Sequence, residues 1–425
     1  MDARNQTIWD IAIIGGGPAG MMAAGRAAEL GAKVILIEKN ESLGEKLLLT
    51  GGGRCNLTNA EFDTRKFLAK FKEGDKFLFS TFSQFGVKET LYFFHSKNMP
   101  TKIEEENRVF PMSDKAESVW DVLVQYMKNG GVNILSDSPV VNIIHDKYAI
   151  EAVKLKNGKK IKARSFILAT GGKSRPDTGS TGDGFVWLKE FGHKIIKPSA
   201  ALVPIAIKDD WVKQLSGLSL PNVRIKVLQF GQKQEMRTGK ILFTHFGLSG
   251  PAILNMSKDI GELLKYGDVS LLLDLFPHFD HGKLDLTIQE LFTKQSNKQL
   301  KNCLGNLLPS TLVPIVIKMS GINPETFCHS IHREERLRLG KIIKDMPMQV
   351  SGLLGVEKAI ITSGGVTLEE VDFKTMSSRL YPNLYLVGDI LNVDRPSGGY
   401  SLQLCWTTGF VAGTAATNEL KNRTW

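Results

Sequence analysis

The chain has 425 residues, 42% apolar and 23% charged, with a formal net charge of +10 and a pI near 9.2. That length suits about three domains, and the composition allows a sizeable core, which excludes a disordered or fibrous protein. The basic residues are spread along the chain (66–76, 154–162, 294–301) rather than blocked together with aromatics, so no nucleic-acid partner is expected.

The first legible stretch is 10–40. An apolar run, 11–14, ends in Gly15-Gly16-Gly17-Pro18-Ala19-Gly20; a small-residue segment follows to Leu30, then Gly31, then a second apolar run, 34–37, closed by Glu38 and Lys39. This reads as strand, tight turn, helix, strand. Gly15 allows the turn, Gly17 admits a pyrophosphate to the backbone, and Gly20 lets helix and strand pack closely. The helix N-terminus has unpaired N–H groups and a partial positive charge that favour phosphates. Pro18 suits the first helical turn and Gly31 a C-cap. Glu38, ending the second strand, can accept bonds from ribose hydroxyls and would repel a 2′-phosphate, so NADP is not expected there.

A second glycine cluster follows: Gly44-Glu45-Lys46, then Thr50-Gly51-Gly52-Gly53-Arg54-Cys55. Exposed backbone N–H groups with Lys46 and Arg54 predict a loop along a pyrophosphate or a flavin edge. Residues 60–130 read as mixed helix. Arg108-Val109-Phe110-Pro111 reads as a turn closing a strand, and a helix starting at 113–117 runs to Lys128. Strands are expected at 132–135, 140–144, 149–155 and 161–163, with Asn157-Gly158 as a hairpin turn. Together they predict a small antiparallel sheet within a parallel one.

Residues 165–169 form an apolar strand ending in Thr170-Gly171-Gly172, at the edge where ligands of parallel sheets bind. Asp183 opens a helix that runs through 185–191; it serves as a cap or a cofactor contact. Near 197 the texture changes. Runs at 202–207, 222–230, 235–244, 271–275 and 348–354 read as an antiparallel sheet or small barrel. Helices are expected at 284–295, 298–307, 312–319 and 324–345. A strand at 359–361 precedes Ser363-Gly364-Gly365 as a turn. The last piece returns to the opening pattern: strand 384–387, Gly388-Asp389, Ser397-Gly398-Gly399-Tyr400, and a small-residue helix, 402–418. Its N-terminus directs partial positive charge at a bound group, and Asp389 can bond ribityl or ribose hydroxyls.

The fold class is therefore α/β, with changes of texture near 197, 276 and 346. No second GxGxxG lies between strand and helix, so any NAD(P)H is a transient co-substrate. The four cysteines, Cys55, Cys303, Cys328 and Cys405, form no CxxC, so neither zinc nor a dithiol motif is signalled and a reducing compartment fits. The start of the chain is not a signal peptide, and no apolar run reaches a membrane span. A cytoplasmic, soluble protein with no membrane partner is expected.

These segments together resemble a bacterial family of FAD-dependent oxidoreductases, the aminoacetone oxidase-like or 3-dehydro-bile-acid reductase-like flavoproteins. The resemblance rests on GGGPAG (15–20), GEK (44–46), TGGGRCNLTN (50–59), RVFP (108–111), ATGGKSRPDTGSTGDG (169–184), THFGLSGPAIL (244–254), TSGGV (362–366) and VGDILNVDRPSGGYSLQ (387–403). It implies three parts, in agreement with those changes of texture: a discontinuous Rossmann-like FAD-binding domain (1–196 and 367–425), an inserted β-barrel domain (197–275 and 346–366) and a helical domain (276–345). It also implies adenine contact by the Val140 backbone, and FAD contact by Glu38, Gly52, Asp389 and the segment from Gly399 through Leu402. Departures sit near the flavin: the family more often has Glu at Asp389, Asp at Asn392, Gly near 395–397 and Asn at Ser401.

The expected function is flavin-dependent redox chemistry on a small organic substrate, with N5 hydride transfer and a nicotinamide-linked reductase favoured. Alternatives are an amine oxidase using oxygen, an RNA-modifying flavoprotein, and a non-catalytic redox sensor. His245, in a loop of small residues, is the candidate catalytic acid–base group; Tyr400, Arg54 and Cys55 are alternatives with more ordinary roles.

Overall fold

A computed structural model describes residues 7–422. The chain forms two dense units. The first runs to Ala201 and resumes at Val356; the second is Leu202–Gly355.

The first unit is built on a seven-stranded sheet. Its strands are β1 (Ile8–Ile14), β2 (Val34–Ile37), β3 (Asn133–Leu135), β4 (Val140–His145), β5 (Ile150–Leu155), β6 (Lys160–Leu168) and β7 (Leu384–Leu386). The order is β3-β2-β1-β6-β5-β4, with β7 also pairing β6. β1, β2, β3, β6 and β7 run parallel, while β4 and β5 form an antiparallel ribbon on the first half of β6. The registers matter for function. Ile14 sits opposite both Ile37 and Leu168, Ile37 opposite Leu135, and Leu168 opposite Leu386. Five strands thus end level, and Gly15, Glu38, Ser136, Ala169 and Val387 emerge side by side at the carboxyl edge. The α/β class read from the sequence holds.

β6 corrects one expectation: 161–163 and 165–169 are one strand, not two. Its burial alternates through Arg164 and then becomes continuous. The first half carries the ribbon and keeps one face open; the second half lies inside the parallel sheet and is covered on both. A second correction concerns Ser363-Gly364-Gly365, which is no turn but part of a buried strand, Ile361–Val366, paired antiparallel with Ile195–Ala201. A Cβ on Gly364 would lie 2.6 Å from the Lys197 carbonyl oxygen, so glycine here serves close backbone approach. Likewise Arg108–Pro111 is itself a strand, between Thr58–Asn59 and Thr101–Glu104.

The second unit is a closed six-stranded barrel, in the order Ile205–Ile207, Gly247–Ser249, Gln232–Thr244, Ser219–Gln229, Val269–Asp274 and Met346–Leu353. Alternate residues such as Ile225, Val227, Ile241, Phe243, Leu271 and Leu273 fill its interior. Helices His281–Lys294, Val313–Ser320 and Arg333–Lys344 join the same core. The helix expected over 324–345 begins only at Arg333. Upstream, the backbone pairs elsewhere: Leu300 N–H donates to Thr326 O and Cys328 N–H to Lys298 O, both at 2.9 Å. The Glu335 carboxylate then accepts from His332 N–H at 2.9 Å and starts the helix.

One buried clamp in the first unit has a measurable signature. His193 is 3% exposed; its Nδ1 bonds the Glu370 carboxylate at 2.7 Å and its Nε2 the Ser378 hydroxyl at 3.0 Å. The Ser378 oxygen also accepts from Leu380 and Tyr381 N–H, so this Ser–His–Glu row ties chain segments together and offers no accessible nucleophile. Burial pushes the His193 pKa below its ordinary value, against the pull of Glu370. The unfolded chain therefore binds this proton more readily. The clamp's contribution is present above about pH 6.5 and is lost as pH falls through the lowered native pKa. Thermal midpoints of wild type should drop as pH falls below about 6.5, and His193→Gln should start lower and show a flatter slope there; equal slopes would assign the pH dependence elsewhere.

Candidate active site

The aligned strand ends of the first unit open into one cleft of about 1170 Å³, including its mouth. Its near wall is the first glycine loop: Gly15, Gly17, Pro18 and Ala19 line it, and the helix Pro18–Glu29 starts there. A Cβ on Gly17 would meet nothing within 4 Å, so this backbone faces open space. Gly20 lines nothing; it packs on the Gly15 carbonyl and Ala169, which holds the helix close to the sheet. Glu38 is 8% exposed and fastens the loop. Its carboxylate accepts from Gly16 N–H at 2.6 Å and from Asn40 N–H at 2.8 Å. Lys39, beside it, donates to Thr181 Oγ1 at 2.5 Å and to the Asp183 carboxylate at 2.8 Å, and this pair also borders the cleft. The side wall comprises Val140, Thr170 and Gly171 with Ser138 and Trp187. Thr170 Oγ1 is buried and without a protein partner.

The far wall comes from the other end of the chain: Gly388, Asp389, Ser401, Leu402 and Cys405. The helix Tyr400–Asn422 carries three of these. It crosses the helix Pro18–Glu29 at small residues: Gly409 lies on the Ala19 carbonyl, and a Cβ on Gly413 would lie 2.6 Å from the Ala23 carbonyl oxygen. A buried polar row fixes its rotation. Gln403 Nε2 donates to Thr90 Oγ1 at 2.8 Å and to Thr407 Oγ1 at 3.1 Å, while its Oε1 accepts from the Thr58 hydroxyl at 2.6 Å. Because every member is bonded, this row specifies one arrangement at little desolvation cost.

The TGGGRCNLTN segment acts mainly through this helix. Asn59 Nδ2 donates to Gly398 O at 3.3 Å, and Asn56 Oδ1 accepts from Gly399 N–H at 3.0 Å. Gly399 has φ +99°, and a Cβ there would fall on the Thr58 carbonyl. Thr50 lines the cleft, whereas Gly51, Gly52 and Arg54 do not. Arg54 is engaged elsewhere: it bonds Glu104 and Asp114 at 2.5 Å each and stacks 4.1 Å above the Phe110 ring. Those two carboxylates raise its pKa further. Gly399 and Tyr400 also lie off the cleft; the Tyr400 ring packs against Phe67 and Phe71. Cys55 is buried, and its thiol is pushed up to about 12 by desolvation, so it is inert. His245 belongs to the second unit, exposed on the turn between Gln232–Thr244 and Gly247–Ser249, with its ring edge-on to Phe246.

One feature escaped the motif reading. Arg395 is buried behind the far wall and bonds the Asp389 carboxylate, Ser401 Oγ (3.0 Å) and Val393 O (2.7 Å). Lys46 Nζ lies 3.7 Å from the same carboxylate and donates to Ser174 Oγ at 2.7 Å. Burial lowers the Lys46 pKa, opposed by Asp389. For Asp389, burial acts upward, but Arg395 and then Lys46 outweigh it and hold the carboxyl below its ordinary range. Burial with Asp389 nearby pushes the Cys405 thiol up to about 12, so it faces the cleft protonated. The clue in the sequence was weak, because an arginine between Asp394 and Pro396 in a loop reads as surface.

The residues present fit FAD. An open glycine backbone at a helix N-terminus suits a pyrophosphate; Glu38 and Asp389 suit hydroxyls at two separated points; and the orphaned Thr170 Oγ1 is a buried polar atom that a bound ligand could satisfy.

Comparison with known proteins agrees. The HI0933-like protein Rossmann domain model matches residues 9–415. The 3-dehydro-bile acid delta(4,6)-reductase of Clostridium scindens is 30% identical over 96% of this chain and 98% of its own. The ribosomal RNA dihydrouridine synthase of Escherichia coli is 28% identical over 95% of this chain and 96% of its own. Among solved structures, the 3-ketosteroid delta1-dehydrogenase of Sterolibacterium denitrificans superposes with a TM-score of 0.56 at 12% identity, over 97% of this chain and 100% of that one. The E. coli quinol fumarate reductase subunit FrdA gives 0.55 at 17%, over 98% and 71%. These two likenesses speak for the fold. The chain belongs to the HI0933-like family of FAD-dependent oxidoreductases. Among the described residues no helix is long and apolar enough to cross a membrane.

If Glu38 accepts from cofactor hydroxyls as well as from Gly16, Glu38→Ala should weaken FAD binding at least tenfold, about 1.4 kcal/mol. Fluorescence titration of apoprotein measures this, and an unchanged Kd would remove Glu38 from the cofactor's contacts.

Proposed function

We propose that this protein reduces a carbon–carbon double bond conjugated to a carbonyl, with FAD as the hydride carrier and a nicotinamide as transient donor. The observation that carries the reading is the pair of full-length relatives. Their names describe very different substrates but one chemistry: a 3-oxo-4,6-diene and a uracil ring are both enone-like systems that gain two hydrogens. Bound FAD supplies the hydride for the β-carbon.

The chain's own residues do the rest. The first glycine loop and the Pro18–Glu29 helix N-terminus bind the pyrophosphate, Glu38 and Asp389 orient the two ends of the cofactor, and the Tyr400–Asn422 helix directs its positive end into the cleft.

A small enone is the favoured substrate, supported by the bile-acid relative at 30% identity. The second reading is RNA, favoured by the net charge of +10 and by the dihydrouridine synthase relative. Holoprotein reduced anaerobically by NADH or NADPH distinguishes them. Mixing with a 3-oxo-4-ene steroid should reoxidise the flavin and yield a product two mass units heavier. Reoxidation only by deproteinised ribosomal RNA, lost on raising salt, would move the assignment to RNA. Reduction by an amine with peroxide formed from oxygen, and no response to either acceptor, would overturn the reductase reading for an oxidase.

A further inference from the structure

At the inner wall of the cleft two cations share one carboxylate. Arg395 has no exposed side-chain surface and spends its guanidinium on Asp389, Ser401 Oγ and the Val393 carbonyl. Lys46 reaches the same Asp389 from the opposite side at 3.7 Å and is held by the Ser174 hydroxyl and carbonyl. Lys46, Asp389 and Ser401 line the cleft, and Arg395 stands behind them. Cys405, a further titratable neighbour, carries a protonated thiol. Two positive charges against one negative leave the wall with a surplus positive charge, and the charge that faces the cleft is the ammonium of Lys46.

A single buried ion pair would be neutral; here a second cation is added, and it lies in the lining of the cleft. The second is costly to desolvate, as the lowered pKa of Lys46 records. Placed in the cleft lining, this charge acts on whatever group the cleft binds. Two-electron reduction of FAD with uptake of one proton leaves the cofactor one negative charge richer, and a fixed charge in a low-dielectric site acts strongly on such a change.

We propose that Arg395 is a positioning residue: by occupying Asp389 it leaves the Lys46 ammonium uncompensated toward the cleft, and this surplus charge makes bound FAD easier to reduce. The inference goes beyond the substrate assignment and rests only on the cleft holding FAD. An enone and an amine are equally irrelevant to it.

The test is the midpoint potential of bound FAD, measured against a reference dye under anaerobic conditions, together with the Kd of oxidised FAD. Lys46→Met and Arg395→Met each remove the surplus. Each should weaken binding of reduced FAD about tenfold more than of oxidised FAD, a fall of about 30 mV for a two-electron couple. Asp389→Asn enlarges the surplus, so its potential should rise even though oxidised FAD binds less tightly. Arg395→Lys keeps the charge and should stay near wild type. If Arg395→Met fails to hold FAD, Lys46→Met and Asp389→Asn still must move in opposite directions. Shifts of one sign in all variants would mean a merely structural role. Unchanged potentials with weaker oxidised FAD in both cation variants would assign the charge to the pyrophosphate. Either result overturns the proposal.

Discussion

Everything at the cleft depends on how closely the first helix and the last can approach. Pro18–Glu29 and Tyr400–Asn422 meet through Gly409 on the Ala19 carbonyl and Gly413 on the Ala23 carbonyl, with no side chain between. On the sheet side, Gly20 and Ala169 do the same for the first helix and β6. These contacts bring residues near 15–19 and residues 387–405 to opposite walls of one cleft, although they are far apart in sequence. A methyl group at such a point has nowhere to go except by moving a backbone, and overpacking of this kind costs about 1–3 kcal/mol. The same contact sets where the last helix points its positive end, so packing and electrostatics are decided by one geometric constraint.

The second theme is that the far wall is less economical than stability alone would require. A fully bonded polar row (Thr58, Thr90, Gln403, Thr407) holds the helix in rotation and is buried without loss. Beside it the Lys46–Asp389–Arg395 group buries charge that an apolar wall would avoid. Such groups are poor sources of stability, and removing one partner leaves another uncompensated, at about 3–5 kcal/mol. In the second unit, Lys344 is buried 2.7 Å from the Asp274 carboxylate, with Arg224 3.9 Å from the same oxygen, and Lys344 also donates to the Phe276 and Phe279 carbonyls.

Much of this was legible in the residues. Gly15 to Glu38 announced itself because each position has one physical job in a strand–turn–helix–strand unit, and the α/β class followed. Segments near 170 and 388 were legible as apolar strands ending in glycine, which is why they too reach the carboxyl edge. What was not legible depended on distant partners. Ser363-Gly364-Gly365 looks like a turn, since glycine for bending and glycine for close approach read alike. Residues 324–332 were read into the helix that follows, although Pro324, Thr326, Cys328 and Ser330 are weak helix formers, and their backbone pairs with 298–300 instead. Gly51, Gly52 and Arg54 looked like a phosphate loop, yet Arg54 lies off the cleft among Glu104, Asp114 and Phe110, partners whose positions only the fold reveals. Arg395 was invisible for the same reason: nothing local marks a loop arginine as buried.

The most direct test of the account is the FAD affinity of Gly409→Val, with folding followed by circular dichroism. If close approach of the two terminal helices builds the cleft, the variant should keep its helical and strand content while its FAD Kd rises at least tenfold, about 1.4 kcal/mol. Stoichiometric FAD bound at the wild-type Kd in a folded Gly409→Val protein would contradict it.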